Sequence, residues 1–110
     1  MKELNTELLS ALNNCINACN HCAASCLQEQ DVKMMVECIK TDLDCADICT
    51  LVAKLVARGS AHAQHLLKEC IEVCEACAAE CEKHAEHMEH CRACAESCRK
   101  CAEACRNAQL

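Results

Sequence analysis

The spacing of the cysteines constrains this chain more than any other feature of its sequence. Cysteines recur at alternating steps of three and four residues over positions 15–26, again over 70–81, and then from 91 to 105. In an α-helix, this alternation places every member on one face. The other residues of these stretches are mostly Ala, Glu, Lys, Arg and Asn, which cannot form a core. We therefore expect long helices whose thiols point inward.

The composition favours helices and argues against a disulfide scaffold. The chain has 16 Cys in 110 residues, a content that in a short chain usually indicates a secreted, disulfide-rich protein. Such proteins are rich in loops, whereas this chain has one Gly and no Pro. Cβ atoms four residues apart on a helix are about 5–6 Å apart, and a disulfide needs about 3.5–4.5 Å. Residues 1–9 lack the apolar run of a secretion signal, so we expect a cytosolic protein with reduced thiols.

Three interruptions divide the chain into four predicted helices. Asp31 follows a polar stretch and is a candidate N-cap, while Gly59 and Ser60 predict a helix end at Arg58 and a new helix start. The third interruption falls within residues 82–89, where histidines break the pattern. Because short connections make neighbouring helices antiparallel, we predict an all-α, up-down-up-down four-helix bundle forming a single domain. The expected helices span about 5–28, 31–58, 60–84 and 88–109.

Thiol chemistry predicts soft metal ions in this core. Two cysteines four residues apart point to the same side of a helix and can hold one ion between them; the seven such pairs are 15/19, 22/26, 45/49, 70/74, 77/81, 94/98 and 101/105. Thiolates select copper(I), zinc or iron–sulfur clusters, but zinc and iron–sulfur motifs usually lie in loops. Sixteen buried thiolates would be neutralised by about 16 Cu⁺ or about 8 Zn²⁺. We predict that multiple Cu(I) ions bind to Cys15, Cys19, Cys22, Cys26, Cys38, Cys45, Cys49, Cys70, Cys74, Cys77, Cys81, Cys91, Cys94, Cys98, Cys101 and Cys105.

The two ends of the predicted bundle differ in chemistry. Near Gly59, aliphatic residues continue the cysteine face and predict a sealed end; they are Leu4, Leu8, Leu12, Val52, Leu55, Val56, Leu66 and Leu67. At the other end, methionine and histidine continue the face, and these weaker soft ligands predict an entrance. The alternatives are that the methionines fill the core, that the histidines belong to a solvated loop, and that Asp42 accepts a proton or lies on the surface. The candidate entrance or accessory ligands are Met34, Met35, Asp42, His84, His87, Met88 and His90.

Two cysteine motifs carry a resemblance to a known family. The sequence HCAASC occupies residues 21–26, and HCRACAESCRKCAEAC occupies residues 90–105. With these motifs, the chain resembles the Csp family of bacterial copper storage proteins, particularly its cytosolic branch, over nearly its whole length. The resemblance implies a four-helix bundle, copper(I) held mainly between thiolates, an entrance at one end and a homotetramer. Helix 2 departs from the pattern, because Asp42 stands four residues after Cys38 where a second cysteine is expected.

The expected function is cytosolic storage of copper(I), without catalysis, and with a cytosolic copper donor or acceptor as the partner. The net charge of −6 argues against nucleic acid and anionic membranes as partners, and no apolar run of 18 residues exists that would span a membrane. A general zinc or cadmium buffer is the alternative. A thiol redox enzyme would need an exposed cysteine of low pKa beside a basic group, and a purely structural bundle would tolerate Cys→Ala at most positions.

Overall fold

The computed structural model describes residues 5–110 as four long α-helices and one short 3-10 helix. The part of the chain that it describes contains no β-strand, and no helix in that part has the length and hydrophobicity that a membrane span requires. The predicted all-α fold is therefore confirmed. The helices are α1 (Thr6–Cys26), the 3-10 helix (Val32–Met35), α2 (Val36–Ala57), α3 (Ala63–Glu82) and α4 (Glu89–Asn107).

The four helices form an antiparallel bundle with extents of 51 × 18 × 17 Å. Helix α1 packs against α2 and α4, and α3 packs against the same two helices. The sulfur of Cys38, near the start of α2, lies 3.5 Å from that of Cys81, near the end of α3. The sulfur of Cys49, further along α2, lies 3.7 Å from that of Cys70, near the start of α3. Helices α2 and α3 therefore run in opposite directions, and the predicted up-down-up-down bundle is confirmed.

Gly59 ends α2 through its backbone conformation. Its φ of 65° lies in the left-handed region, which L side chains rarely adopt. The N–H of Gly59 donates to the carbonyl of Val56 at 3.1 Å, and the N–H of Ser60 donates to the carbonyl of Leu55 at 2.9 Å. These two bonds form a Schellman motif, which satisfies carbonyl groups that the helix end leaves free.

The helix starts differ from the sequence-based predictions. Asp31 makes no side-chain cap, and the 3-10 helix precedes α2. Helix α3 begins at Ala63, later than predicted, because the chain first makes a turn in which Ser60 Oγ accepts a hydrogen bond from the backbone N–H of His62 at 3.1 Å. Helix α1 ends at Cys26, two residues early, since the N–H groups of Gln28 and Glu29 bond to carbonyls three residues back and do not extend the α-helix.

Aliphatic side chains fill the end of the bundle near Gly59. Leu12 and Val52 are fully buried there, and Leu66 is half-buried. Leu4, which the sequence placed in the same group, lies outside the described residues. This end thus has an ordinary hydrophobic core, while the cysteines occupy the rest of the bundle axis. The other buried aliphatic residues of this end are Leu8, Leu55, Val56 and Leu67.

Candidate metal centre

All sixteen cysteines are buried, and all are free thiols. The most exposed of them, Cys105, has 3% of its surface accessible. A protonated cysteine behaves as a small hydrophobic side chain, so these thiols can pack as core residues. The helical faces predicted from the cysteine spacing thus converge on the bundle axis.

The thiols approach one another both within and between helices. The Sγ–Sγ distances are 3.9–4.0 Å within the pairs 15/19, 22/26, 45/49 and 94/98. Several distances between helices are slightly shorter: for example, the sulfur of Cys45 lies 3.7 Å from those of Cys15 and Cys74. A candidate metal site therefore draws its ligands from two or more helices. The sequence analysis had treated each i,i+4 pair as a separate site and did not predict these contacts between helices.

The ligand atoms form overlapping groups along the axis. In each group named below, four ligand atoms lie within 4.8 Å of one another. The four all-cysteine groups share members with their neighbours, so one sulfur can bridge two ions. The groups include 15/45/49/74, 15/19/45/98, 19/77/94/98, 49/70/74/101 and, at the end opposite Gly59, Cys22, Cys26, His90 and Cys91.

Asp42 lies on α2 inside this line of thiols, with none of its surface exposed. Its Oδ1 accepts hydrogen bonds from the thiols of Cys77 at 3.1 Å, Cys94 at 3.3 Å and Cys81 at 3.5 Å. Burial, reinforced by the sulfurs of Cys94 and Cys77, raises the pKa of Asp42 to about 12. The carboxyl group is therefore uncharged at neutral pH, and the alternative of a surface carboxylate is wrong.

His90 brings an imidazole to the thiols at the end of the bundle opposite Gly59. Its Nδ1 lies 3.4 Å from the sulfur of Cys22, 3.6 Å from that of Cys91 and 4.0 Å from that of Cys26. Its Nε2 lies 3.0 Å from Oε2 of Glu29. Burial lowers the pKa of His90, but the hydrogen bonds to Cys22 and Glu29 outweigh burial and leave that pKa raised. The group combines three sulfurs and one nitrogen, all soft or borderline donors.

The other two candidate histidines do not contact the thiols in this way. His84 is half-buried in the turn after α3; its Nε2 makes no hydrogen bond with the described residues and lies 3.7 Å from Oε2 of Glu80. His87 is exposed. Helix α3 ends at Glu82, before His84. The helical repeat therefore does not place His84 on the same face as the cysteines of α3. The first turn of α4 brings His90 there instead, and its position directly before Cys91 was the signal in the sequence.

The methionines at this end occupy different environments. Met35 is fully buried, whereas Met34 has 58% of its surface exposed. Met88 is half-buried and packs against the core. Sequence reasoning left Met34 and Met35 as alternatives, and burial favours Met35 as the one facing the axis.

Comparison with known proteins identifies the family. The family model described as copper storage protein, Csp, matches residues 1–110. The chain belongs to the Csp family. The copper storage protein Ccsp from Streptomyces lividans, solved with 10 copper equivalents, is 40% identical and superposes with a TM-score of 0.90, covering 94% of this Csp and 81% of that chain. The Cu(I)-bound copper storage protein BsCsp3 is 39% identical with a TM-score of 0.88, covering 94% and 96% of the two chains.

A curated relative agrees with this assignment. The uncharacterized cysteine-rich protein YhjQ of Bacillus subtilis (strain 168) is 40% identical over 77 residues, which are 70% of this Csp and 71% of that protein. The resemblance drawn from the two cysteine motifs is thus confirmed over the whole chain.

Proposed function

We propose that this Csp stores copper(I) in the cytosol by binding many ions between its core thiolates. The observation that carries the proposal is the series of thiol groups along the bundle axis, of which the four all-cysteine groups share sulfurs with one another. Solved relatives at about 40% identity support it: one is described as loaded with 10 copper equivalents, one as Cu(I)-bound, and one as a cytosolic copper storage protein. All sixteen cysteines are proposed ligands.

Charge balance favours copper(I) over zinc in this core. Each buried thiol that loses its proton gains one negative charge, and one Cu⁺ ion cancels it. A Zn²⁺ ion in a closed group of four thiolates leaves two negative charges buried. Because the groups share sulfurs, they cannot all be closed tetrahedral sites at the same time. A general zinc or cadmium buffer is therefore the second candidate.

We propose that copper enters at the end that holds His90. The group of Cys22, Cys26, His90 and Cys91 includes the one ligand of the described groups that is only half-buried. The opposite end is filled by leucine and valine. Met35, His84 and Met88 surround the same end and are proposed accessory ligands, while the exposed Met34 and His87 are less suited to that role.

The proposed role is binding and not catalysis. A redox-active thiol has to be reachable and stabilised as a thiolate by a nearby positive charge. Every cysteine of this chain is buried, and most thiols have other thiols as neighbours. This arrangement suits an ion store better than a thiol redox enzyme.

We further propose that the protein forms a homo-oligomer, a tetramer by its resemblance to cytosolic Csp proteins, and exchanges copper with a cytosolic partner. The outward face of α2 supports self-association, because Val36, Leu43 and Leu51 are 44–46% exposed. An antiparallel pairing that sets Val36 against Leu51 of the partner subunit also sets Lys40 against Asp47 of the partner subunit. Light scattering on the wild type and on Leu43→Lys tests this, with a lower mass expected for the variant.

Titration of the reduced apoprotein with Cu(I), and separately with Zn(II), tests storage. A competing chelator in each titration reports both stoichiometry and affinity. We expect well above about 8 Cu⁺ ions per chain, since each thiolate balances one ion. A lower copper ratio, or zinc loading that is both tighter and fuller, would overturn the proposal.

A further inference from the structure

Glu29 links the two helices that supply the half-buried metal group. It lies in the connection between α1 and the 3-10 helix, three residues after Cys26. Its backbone N–H donates to the carbonyl of Cys26 at 3.2 Å. Its carboxylate Oε2 lies 3.0 Å from Nε2 of His90, in the first turn of α4. Glu29 thus touches the α1 side of the group through its backbone and the α4 side through its side chain.

The two ring nitrogens of His90 face different partners. Nε2 faces the Glu29 carboxylate, and Nδ1 faces the sulfurs of Cys22 and Cys91 at 3.4 and 3.6 Å. The side chain of His90 is 13% exposed and that of Glu29 is 34% exposed, so the contact is shielded from most of the solvent. A neutral imidazole carries its proton on one nitrogen and binds a metal ion through the other.

We infer that Glu29 is a positioning residue for copper binding at His90. A carboxylate can only accept a hydrogen bond, so it holds the neutral ring as the Nε2–H tautomer and leaves the Nδ1 lone pair facing Cys22 and Cys91. The same contact fixes the rotation of the ring over the thiols. Glu29 itself binds no ion in this arrangement. The inference rests on the proposed function, because it assigns a role within the proposed entrance site.

The contact between His84 and Glu80 shows that a nearby carboxylate alone does not produce this arrangement. Those two residues lie one helical turn apart, and the 3.7 Å separation is too long for a hydrogen bond. The contact between Glu29 and His90 spans 61 positions of sequence and joins the connection after α1 to the first turn of α4. Its geometry is that of a carboxylate that accepts a hydrogen bond from a histidine ligand, through the ring nitrogen that does not bind the metal.

Two substitutions separate the geometry of the Glu29 contact from its charge. Glu29→Gln keeps the length of the side chain and one acceptor oxygen but removes the negative charge. Glu29→Asp keeps the negative charge, but its side chain is shorter by one methylene group. Glu86→Ala removes an exposed carboxylate from the turn before α4 and serves as the control. Both positions lie outside the buried core, and far-ultraviolet circular dichroism of each variant checks that the helices are retained.

Nitrogen-15 NMR of the histidine rings in the reduced apoprotein, at a pH well above the imidazole titration, reads the tautomer without any copper. Comparison with His90→Ala assigns the signals. We expect the Nε2–H form of His90 in the wild type and in Glu86→Ala, and a mixture of tautomers in Glu29→Asp and in Glu29→Gln, whose amide group can also donate to Nε2. A wild type that shows mainly the Nδ1–H form, or a Glu29→Asp variant with an unchanged tautomer, would overturn the inference.

Cu(I) binding at the same ring supplies the second measurement. With copper(I) held at defined free concentrations by a chelator, the shift of the His90 signals gives the midpoint for this site alone. We expect Glu29→Asp to raise the midpoint concentration by about 10–100-fold and Glu29→Gln to raise it less. An equal rise in Glu86→Ala would contradict positioning and indicate a general effect of charge. Failure of the storage proposal would be seen separately, as low total copper uptake by the wild type.

Discussion

Asp42 accepts a hydrogen bond from the thiol of Cys77, with the sulfur 3.1 Å from Oδ1. The carboxyl group is fully buried, and burial, with the sulfurs of Cys94 and Cys77, raises its pKa to about 12 from the ordinary value of 3.8. Between these two values the folded apoprotein holds a proton that the unfolded chain loses. Since the folded state then binds one more proton at Asp42 than the unfolded state, the contribution of Asp42 to stability decreases as pH rises above about 4.

The first prediction concerns Asp42→Asn. The amide is uncharged in both states, so we expect the variant apoprotein to be more stable than the wild type at pH 7, by up to about 4 kcal/mol, and about equally stable near pH 3. Urea unfolding under reducing conditions at both pH values measures the difference. Asp44→Asn, on the exposed face of the same helix, is the matched control. A variant less stable than the wild type at pH 7 would contradict the assignment of a neutral, buried carboxyl group.

The second prediction concerns proton release at the His90 end. Burial, with the nearby sulfurs of Cys22 and Cys38, raises the pKa values of Cys26 and Cys91, so these thiols keep their protons in the apoprotein at neutral pH. Copper must displace these protons. For each proton released, the affinity for Cu(I) should decrease about tenfold for every unit by which the pH is lowered. Chelator competition between about pH 6 and pH 8 measures the slope, with helix content checked at each pH. An affinity independent of pH would mean that the thiols are already ionised.

The cysteine spacing predicted the helices and their buried faces because that information is local. A step of three or four residues fixes which side chains share a helical face, whatever the rest of the chain does. The groups of thiols also depend on register between helices. Cys45 lies beside Cys15 and Cys74 only because the connections set the positions of α1, α2 and α3 along the bundle axis. The turns around Asp31 and Ser60 differ from those that the sequence predicted.

The entrance residues show the same limit of sequence reasoning. Extending the α3 period favoured His84, but α3 ends at Glu82 and His90 takes the thiol contact from α4. Nothing in the sequence connects Glu29 with His90, because the pair joins two helix ends that are far apart in the chain. Asp42 was identified by its place in the cysteine pattern, yet its protonation depends on burial that only the assembled bundle provides.

The third prediction concerns Gly59, whose φ of 65° favours glycine. Among the described residues, no atom beyond Gly59 and its two neighbours in the chain lies within 4 Å of an added Cβ, so the expected cost of Gly59→Ala comes from the backbone conformation. We expect a loss of about 1–2 kcal/mol in the free energy of unfolding, measured by urea denaturation of the apoprotein. Gly59→Asn should lose less, because asparagine tolerates this conformation. Copper capacity should be unchanged in both variants, and a reduced capacity would show that this end takes part in binding.

The fourth prediction separates the two adjacent methionines at the proposed entrance. Met35 is fully buried, while Met34 is 58% exposed, so only Met35 is placed to present its thioether to the bundle interior. Leucine has a similar volume without the sulfur, and each substitution should therefore change stability by less than about 1.5 kcal/mol. We expect Met35→Leu to slow Cu(I) loading several-fold in stopped-flow measurements and Met34→Leu to load at the wild-type rate, since the thioether is a soft ligand for copper(I). Equal rates in both variants would make Met35 a simple core residue, and slower loading by Met34→Leu alone would place the first capture of copper on the surface.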